Sequence, residues 1–491
     1  MSSIFQRANP AITELFERAG SPRKVLCIPI DYAKKQHTAL ICNGEGSLLR
    51  SPFNIHNNPE GVAFLDDIVS GLCRKHAIRK AHVLFGGEDG GTFSMNFIHA
   101  LLQKKYLGIG LHALDAAKER ENMVASTDKL DLLGIASLLI NKKWGRTLTA
   151  DLNESRILRD QTHHRSTLIE ARATTEMRMH RLADQLFPGF LDEKQSGLTP
   201  FGKASLWMMS EDLAPRRIQA RKSETLARHF RDLMVRDPEE KVRKLKELAG
   251  SVLLPPSRLC DVLQATIRHE ASIHEHLSGC IDELERDIAR RLAATPGAML
   301  TTVPGIGVTL ASNLYAEIGD ANRDRGLIKL ASYAGLATRL KQTGGPDKEP
   351  VAWGRSRRVC MPLKRCILDI ALKMGQYGHE ELKRDYDRRV NDGQDVRFTM
   401  GRRMLRICRH LIQHKQFFLP PSLVKQTDRE RLKSYYSHAW KRILIKWRDA
   451  AAIQQAFAEG APLEEWRVTI NVLYGLNISK TSPKHEKMPT P

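Results

Sequence analysis

Four acidic side chains in the first third of the chain are candidates for a divalent-metal site. Asp31 ends a hydrophobic run, and Glu88 follows the run Val83–Phe85 across two glycines. Asp128 and Asp131 lie three residues apart at the start of an apolar stretch, so a helix there places both on one face. Carboxylates at strand ends, joined by such a helical pair, can converge above one edge of a sheet. Oxygen donors of this kind suit Mg²⁺ (or Mn²⁺), which stabilises the entering and leaving oxygens of a phosphodiester displacement.

Each of these acids, taken alone, also has an ordinary structural explanation. An acid at a strand end is usually a turn residue, and Asp128 could simply cap the helix that follows it. Order and spacing along the chain therefore leave both interpretations open.

Alternating strands and helices surround the acids. We expect the following elements: strands at Lys24–Asp31, His37–Cys42 and Ser47–Phe53, a helix at Gly61–His76, and strands at Ala81–Gly86 and Gly108–Ala113. This order predicts an α/β domain with a mixed sheet over residues 23–150, preceded by an N-terminal extension at residues 1–22.

A helical spacer is predicted for residues 151–298. Helix breakers are rare in Arg156–Gln185. Later in the spacer, apolar side chains recur at spacings of four, three and four, as in the seam of a coiled coil or helical hairpin: Leu277, Ile281, Leu284 and Ile288. Such a seam closes either on the same chain or on a partner, so oligomerisation is one expectation. A mostly helical domain at residues 299–419 and a basic helical tail at 420–491, with a disordered end, complete the predicted organisation.

Basic side chains dominate the charge of the chain. Lysine and arginine number 77 against 56 acids, and the formal net charge is +21. Residues 401–450 alone hold 13 basic and 3 acidic residues, and Arg402, Arg406 and Arg409 follow helical spacing there. Such a stripe binds nucleic acid, an anionic membrane or an acidic partner, or it is only a solvated face. The excess over the whole chain favours DNA as the partner.

Cysteine usage and hydropathy exclude several other classes of protein. None of the eight cysteines forms a CxxC pair, so neither a zinc ribbon nor a disulfide framework is expected. No apolar run approaches the roughly 18 residues of a membrane span, and charged side chains interrupt any signal-peptide core near Met1. We expect a cytoplasmic, nucleoid-associated protein without a membrane partner.

Motifs in both halves resemble one family of mobile-element proteins. Pro29–Lys34, Glu88 and Thr127–Asp131 resemble the DEDD motif of the IS110 family of insertion-sequence transposases, which also includes the Piv-type DNA invertases. Segments of the second half resemble that family's C-terminal domain in order: Leu300–Gly307 through Ala316–Asp320, Ala331–Leu336 and Gln342–Gly345. The resemblance covers about Val25 to Leu419.

The resemblance implies a fold and a chemistry. The first domain would be RuvC-like, of the RNase H type, and would hold Mg²⁺ on Asp31, Glu88, Asp128 and Asp131. The C-terminal transposase domain of the family carries a nucleophilic serine that forms a covalent link to DNA, and its protomers assemble, here as a dimer or tetramer. In the family, a structured RNA from the element's own ends can choose donor and target DNA, so a guide RNA is an expected partner.

The sequence departs from the family at the nucleophile. Where the family has Ser-Gly-Gly, this chain has Thr343–Gly345, and threonine offers the same hydroxyl with a methyl that stiffens χ1. Ser356 is an alternative nucleophile, and a disabled second site is a third possibility. Val359–Cys360 stands where the family usually has Gly-Asn. Basic side chains around Thr343 are expected to contact DNA phosphates: Lys341, Arg355, Arg357 and Arg358.

A glycine-rich turn offers a further DNA contact. Pro304–Gly307 lies between two predicted helices and resembles a helix-hairpin-helix turn. Gly305 and Gly307 would let backbone N–H groups approach a phosphate at a helix N-terminus, although an ordinary turn explains the same glycines.

Three functions stay open at this point. The leading hypothesis is a transposase that cuts and rejoins DNA through the metal site and the Thr343 hydroxyl. A DNA invertase or a RuvC-like structure-specific nuclease is the enzymatic alternative, and the nuclease would use water as its nucleophile. A catalytically inactive remnant that still binds nucleic acid is the third.

Overall fold

The computed structural model describes residues 9–88, 92–111, 119, 128–141, 145–148, 154–319, 327–341, 351–355, 359–414 and 418. The chain divides into two compact units, with the boundary between Leu152 and Asn153. The division groups the predicted spacer with the predicted C-terminal domain. The tail at 420–491 lies outside the described residues.

A mixed six-stranded sheet forms the centre of the first unit. Its strands follow the order β3-β2-β1-β4-β5-β6. β1 is antiparallel to β2 and parallel to β4, β4 is parallel to β5, and the remaining pairs are antiparallel. The strands are β1 (Leu26–Asp31), β2 (Gln36–Asn43), β3 (Leu48–His56), β4 (Val83–Glu88), β5 (Leu107–Leu111) and β6 (Arg146–Thr147). The predicted mixed α/β sheet is confirmed.

Helices cover both faces of this sheet. They are α1 (Pro10–Ala19), α2 (Pro59–His76), α3 (Met95–Gln103) and α4 (Asp128–Ile140). Because strand side chains alternate between faces, Leu26, Ile28 and Ile30 of β1 pack with α2 and α3. Cys27 packs on the opposite face with α1 and α4.

Helix α1 was not predicted by the sequence analysis. Residues 1–22 were predicted as an extension outside the sheet domain, but Ile12, Leu15 and Phe16 of α1 are buried in the same hydrophobic cluster as Cys27. Because Ile12, Leu15 and Phe16 are three and one residues apart, they form a single apolar face of the helix. The sheet provides the surface against which this face is buried.

Two long helices form an antiparallel hairpin in the second unit. They are α5 (Glu154–Leu186) and α11 (Ser257–Ala293). Arg165 pairs with Glu285 and Arg178 with Glu270, which places the start of α5 beside the end of α11. The predicted seam therefore closes within the same chain, where Ile281 and Ile288 are buried.

Five shorter helices connect the far ends of the hairpin. They are α6 (Glu193–Ser196), α7 (Lys203–Glu211), α8 (Pro215–Ala220), α9 (Ser223–Asp232) and α10 (Pro238–Ser251). Prolines begin two of them, α8 and α10, because proline is tolerated in the first turn of a helix. Their core is built around Phe187, Phe190 and Phe230.

The remainder of the second unit is mostly helical, as predicted. A 3₁₀ turn at Pro296–Thr302 leads into α12 (Val308–Ile318), α13 (Leu327–Tyr333), β7 (Thr338–Lys341), β8 (Val351–Arg355), α14 (Met361–Tyr377), α15 (Glu380–Asn391) and α16 (Val396–His414). The antiparallel β7–β8 hairpin is a feature that the sequence analysis missed. Among the helices of the described residues, none is both long and apolar enough to cross a membrane.

Candidate active site

Asp31 and Glu88 end two neighbouring parallel strands. The register of β1 and β4 aligns Leu26 with Val83 and Pro29 with Gly86, and Asp31 and Glu88 each follow two residues after the last aligned pair. Adjacent strands lie about 4.8 Å apart, so the two carboxylates start from neighbouring points at one edge of the sheet. Both side chains are half-buried.

The two carboxylates also share a face of the sheet. Alternation along β1 places Asp31 on the same side as Cys27, and alternation along β4 places Glu88 on the same side as Leu84. This is the side that α4 covers, since a Cβ on Gly86 would lie 2.8 Å from Cδ2 of Leu139 in α4.

Helix α4 packs on this same face of the sheet. Its last residue, Ile140, lies beside Gly46 in the turn between β2 and β3, which is next to the start of β1. Asp128 and Asp131 belong to the first turn of this helix.

This donor set has the chemistry that a hard divalent cation requires. Carboxylate oxygens are the ligands that Mg²⁺ and Mn²⁺ prefer, and the amino end of α4 adds a partial positive charge that stabilises acids there. Among the side chains that the structure describes, no group of three His, Cys, Asp or Glu is arranged to hold a metal ion. Asp31, Glu88 and Asp131 are among these described side chains and Asp128 is not, so the predicted four-acid ligand set stays a prediction.

A histidine that the sequence analysis did not single out supports the segment after Asp31. His37 of β2 is fully buried against Phe97, at 4.3 Å between ring centroids, and its Nδ1 accepts a hydrogen bond from the Ala33 N–H at 3.1 Å. Burial lowers the pKa of His37, so the ring is neutral at pH 7. No spacing in the sequence could have revealed this role, because it depends on the turn between β1 and β2.

The glycine-rich turn of the second unit has the backbone that the sequence suggested. Gly305 has φ +87° in the left-handed region, and Gly307 is the N-cap of α12. A Cβ on Gly307 would meet no atom within 4 Å. The start of α12 borders a cavity of about 420 Å³, whose lining includes Gly307, Asn313 and Lys373. The turn is thus open on the side where a phosphate would approach the helix.

The predicted basic stripe lies on helix α16. Arg402 and Arg406 are exposed and Arg409 is half-buried. Arg403, next to them in sequence, instead faces α15, where its guanidinium lies 2.5 Å from Asp385. Arg403 therefore has a structural role in the contact with α15, whereas Arg402, Arg406 and Arg409 face outward.

The predicted nucleophile cannot be placed. Thr343, Ser356, Arg357 and Arg358 lie outside the described residues. Lys341 ends β7 and Arg355 ends β8, and their backbones therefore belong to the same hairpin. The side chains of these two residues are not described.

Two segments of the chain match transposase families. Residues 28–188 match the transposase family DEDD_Tnp_IS110, and residues 297–387 match the transposase family IS116/IS110/IS902. Together the matches cover just over half of the chain. The chain belongs to the IS110 family of transposases. The first match runs from β1 through α5, and the second runs from the 3₁₀ turn before α12 into α15.

Curated relatives match over a shorter stretch. A segment of 74 residues is 38% identical to the pilin gene-inverting protein of Moraxella bovis. The pilin gene-inverting protein of Moraxella lacunata matches with the same identity over the same length. The segment is 14% of this chain and 23% of each relative, so the chain spans less than a quarter of the curated relatives it matches.

Proposed function

We propose that this chain is a site-specific DNA recombinase of a mobile insertion sequence, which cuts and rejoins DNA strands. The observation that carries the proposal is the parallel pairing of β1 and β4, which end in Asp31 and Glu88, with α4 packed on the face that carries both acids. We also propose an RNase H-like, RuvC-like fold for the first unit. Three antiparallel strands followed by parallel β4 and β5 support it.

The four acids would hold Mg²⁺ or Mn²⁺ at this edge. When bound, the ion supplies stabilisation of the negative charge that develops on a phosphate during its displacement. Asp31 and Glu88 come from the sheet and Asp128 and Asp131 from α4. Ligands from rigid elements are held closer to the required geometry than ligands from loops.

Thr343 is the proposed nucleophile. Its Oγ forms a bond to a DNA phosphorus while one P–O bond of the strand breaks, the hydroxyl proton passes to solvent, and the leaving oxygen takes up a proton. The resulting phosphate ester preserves the bond energy, so the strand can be rejoined without ATP. Basic side chains would offset the charge of the phosphate: Lys341, Arg355, Arg357 and Arg358.

The second unit would provide DNA contacts. Gly305 and Gly307 would present backbone N–H groups to a phosphate, and Arg402, Arg406 and Arg409 would bind the DNA backbone. Membership of the family supports two further partners, a guide RNA from the element's ends and further copies of this chain in a dimer or tetramer.

DNA inversion is a second candidate, because the Moraxella relatives bear the name of a gene-inverting protein. The same site would serve it, and the two activities differ in the arrangement of the DNA ends that are joined. A nuclease that uses water would need the metal site but not Thr343.

Trapping a covalent DNA adduct tests the proposal. The purified chain is incubated with Mn²⁺, supercoiled DNA that carries the sequence flanking its gene and RNA transcribed from that sequence, and the reaction is stopped with detergent. We expect a protein–DNA adduct from the wild type and loss of cleavage in Asp31→Asn and Asp128→Asn, with normal activity in Asp67→Asn, an exposed acid of α2.

Each other outcome selects a different function. Metal-dependent nicking without an adduct indicates the nuclease. DNA binding without cleavage or adduct under any condition indicates an inactive remnant, and undiminished cleavage by Asp128→Asn refutes the metal site.

A further inference from the structure

Asn57 connects the two backbone segments that follow Asp31 and Glu88 in the chain. It follows β3, and its Nδ2 donates hydrogen bonds to the carbonyl oxygens of Lys34 at 3.2 Å and Phe93 at 3.0 Å. Its backbone N–H donates to the carbonyl oxygen of Lys35 at 3.0 Å. A primary amide has two hydrogens, so both are used by these two carbonyl groups. We call this arrangement the Asn57 bridge.

The two acceptors lie just beyond the predicted metal ligands. Lys34 is three residues after Asp31, and Phe93 is five residues after Glu88. One side chain therefore joins the backbone that leaves the first carboxylate to the backbone that follows the second.

Between β1 and β4, the close approach of Gly87 to Ile30 lies one residue before the acids, and the Asn57 bridge lies beyond them. Asp31 is aligned with Thr38 of β2, and Glu88 is aligned with Leu111 of β5, so each carboxylate is anchored to its outer neighbour. The aligned residues between β1 and β4, in contrast, run from Leu26–Val83 to Pro29–Gly86 and stop two residues before the carboxylates. Pro29 also lacks the N–H that a ladder needs.

We propose that Asn57 is a positioning residue that sets the separation of Asp31 and Glu88 for metal binding. The inference rests on the proposed function, since it requires that this pair binds the ion. Asn57 acts through the backbone, and its effect is to limit how far the carboxyl ends of β1 and β4 can move apart. Groups that orient metal ligands in this indirect way typically change metal affinity by 10–100-fold when they are removed.

Asn43 offers a matched control. Its Oδ1 accepts hydrogen bonds from the backbone N–H groups of Glu45 at 3.0 Å and Ser47 at 2.8 Å. It is therefore an asparagine with two side-chain-to-backbone hydrogen bonds in the same sheet, but at the opposite end from the carboxylates. Asn43→Ala and Asn57→Ala each remove two such bonds, and only the second removes them beside the acids.

The test is Mn²⁺ binding by isothermal titration calorimetry on the full-length chain without DNA. We expect Asn57→Ala to raise the Kd by about tenfold and Asn43→Ala to leave it within about twofold of the wild type. Asn57→Leu, which keeps a similar size and adds no charge but removes both donors, should weaken binding to a similar extent. Titrations are run well below the unfolding temperature of each variant, and Asn57→Leu decides the matter if Asn57→Ala does not fold.

Asp31→Asn separates failure of this inference from failure of the proposed function. If Asp31→Asn binds Mn²⁺ like the wild type, the metal site itself is wrong. If Asp31→Asn loses binding while both Asn57 variants match Asn43→Ala, the bridge is only structural. A positioning role further requires that excess Mn²⁺ restores DNA cleavage to the Asn57 variants but not to Asp31→Asn.

Discussion

The Tyr32 ring lies where a side chain on Gly87 would be. A Cβ built on Gly87 would approach Cε2 of Tyr32 to 2.5 Å and the carbonyl oxygen of Ile30 to 2.2 Å. The end of β4 therefore approaches the end of β1 as closely as glycine allows, one residue before Glu88. The two glycines that separate the strand from this acid in the sequence thus have a packing reason.

Gly87→Ala should accordingly separate the two strand ends. Because one of the contacts is with backbone, the clash cannot be relieved by a side-chain rotation, and we expect a loss of about 2 kcal/mol in the free energy of unfolding together with weaker Mn²⁺ binding. Gly71→Ala is the control, since a Cβ at this position of α2 meets nothing within 4 Å. It should stabilise the protein by about 0.5–1 kcal/mol. Urea denaturation measures the free energy of unfolding of both variants. Equal stability of Gly87→Ala and the wild type would contradict the packing described.

The stripe on α16 should control how DNA affinity depends on salt. Each phosphate contact contributes about −0.9 to the slope of log K against log salt concentration, so replacing Arg402, Arg406 and Arg409 with alanine should make the slope shallower by up to about three units. A matched triple variant replaces exposed arginines that pair with an acid on their own helix: Arg243, Arg290 and Arg384. Its slope should not change. If both triple variants behave like the wild type, the stripe is a solvated surface.

Thr343 should need its hydroxyl and not its methyl. Thr343→Ser keeps the hydroxyl and removes the χ1 restriction, so recombination should be maintained or increased. Thr343→Val keeps the shape without the hydroxyl, and it should lose the covalent adduct while DNA affinity stays within about twofold, since the phosphate contacts that dominate affinity remain. Mass spectrometry of the adduct identifies the attached residue. An adduct on Ser356, or one that persists in the valine variant, would rule out Thr343.

Asp385 should make the stability of the second unit depend on pH in the acid range. Its side chain is 5% exposed and accepts hydrogen bonds from Arg389 at 2.9 Å and Arg403 at 2.5 Å. Burial alone would raise the pKa of Asp385, but the hydrogen bonds from these arginines hold it below the ordinary value. A carboxyl with a lowered pKa stabilises the folded state above the unfolded pKa of about 3.9, and this contribution is lost as the pH falls through the folded pKa.

Asp385→Asn should therefore cost about 2 kcal/mol at pH 7, and its difference from the wild type should shrink below about pH 4. Denaturation midpoints of both proteins at pH 7 and pH 3 measure the stability difference between Asp385→Asn and the wild type at each pH. Asp387→Asn, an exposed acid on the same helix, should have little effect at either pH. A constant difference for Asp385→Asn across this range would show that the carboxylate charge is not what binds α15 to α16.

The sequence alone determined the order of the candidate functional residues along the chain and much of the architecture. Short apolar runs separated by polar turns located all but the two-residue edge strand of the sheet, because such runs and turn residues are sufficient to indicate strands. Asp31, Glu88, Asp128 and Asp131 are predicted metal ligands from residue type, order and resemblance, and the motifs in both halves indicated the family that the comparisons then showed.

Only the tertiary structure decided what depends on contacts between distant residues. The seam of α11 is compatible with either a partner chain or α5, and the choice required the positions of Arg165 and Glu285. Likewise, the N-terminal segment becomes part of a core only because the sheet offers a face for Ile12 to cover.

The arrangement of the candidate site also depends on contacts between residues that are distant in the sequence. Asp31 and Glu88 are 57 positions apart, and no local pattern states which strands pair or in what register. The sequence analysis did not single out Asn57, since hydrogen bonds to Lys34 and Phe93 have no signature in the sequence. Residue type determines which chemistry is possible, whereas strand pairing and loop closure determine which atoms meet, because both are settled by packing over the whole sheet.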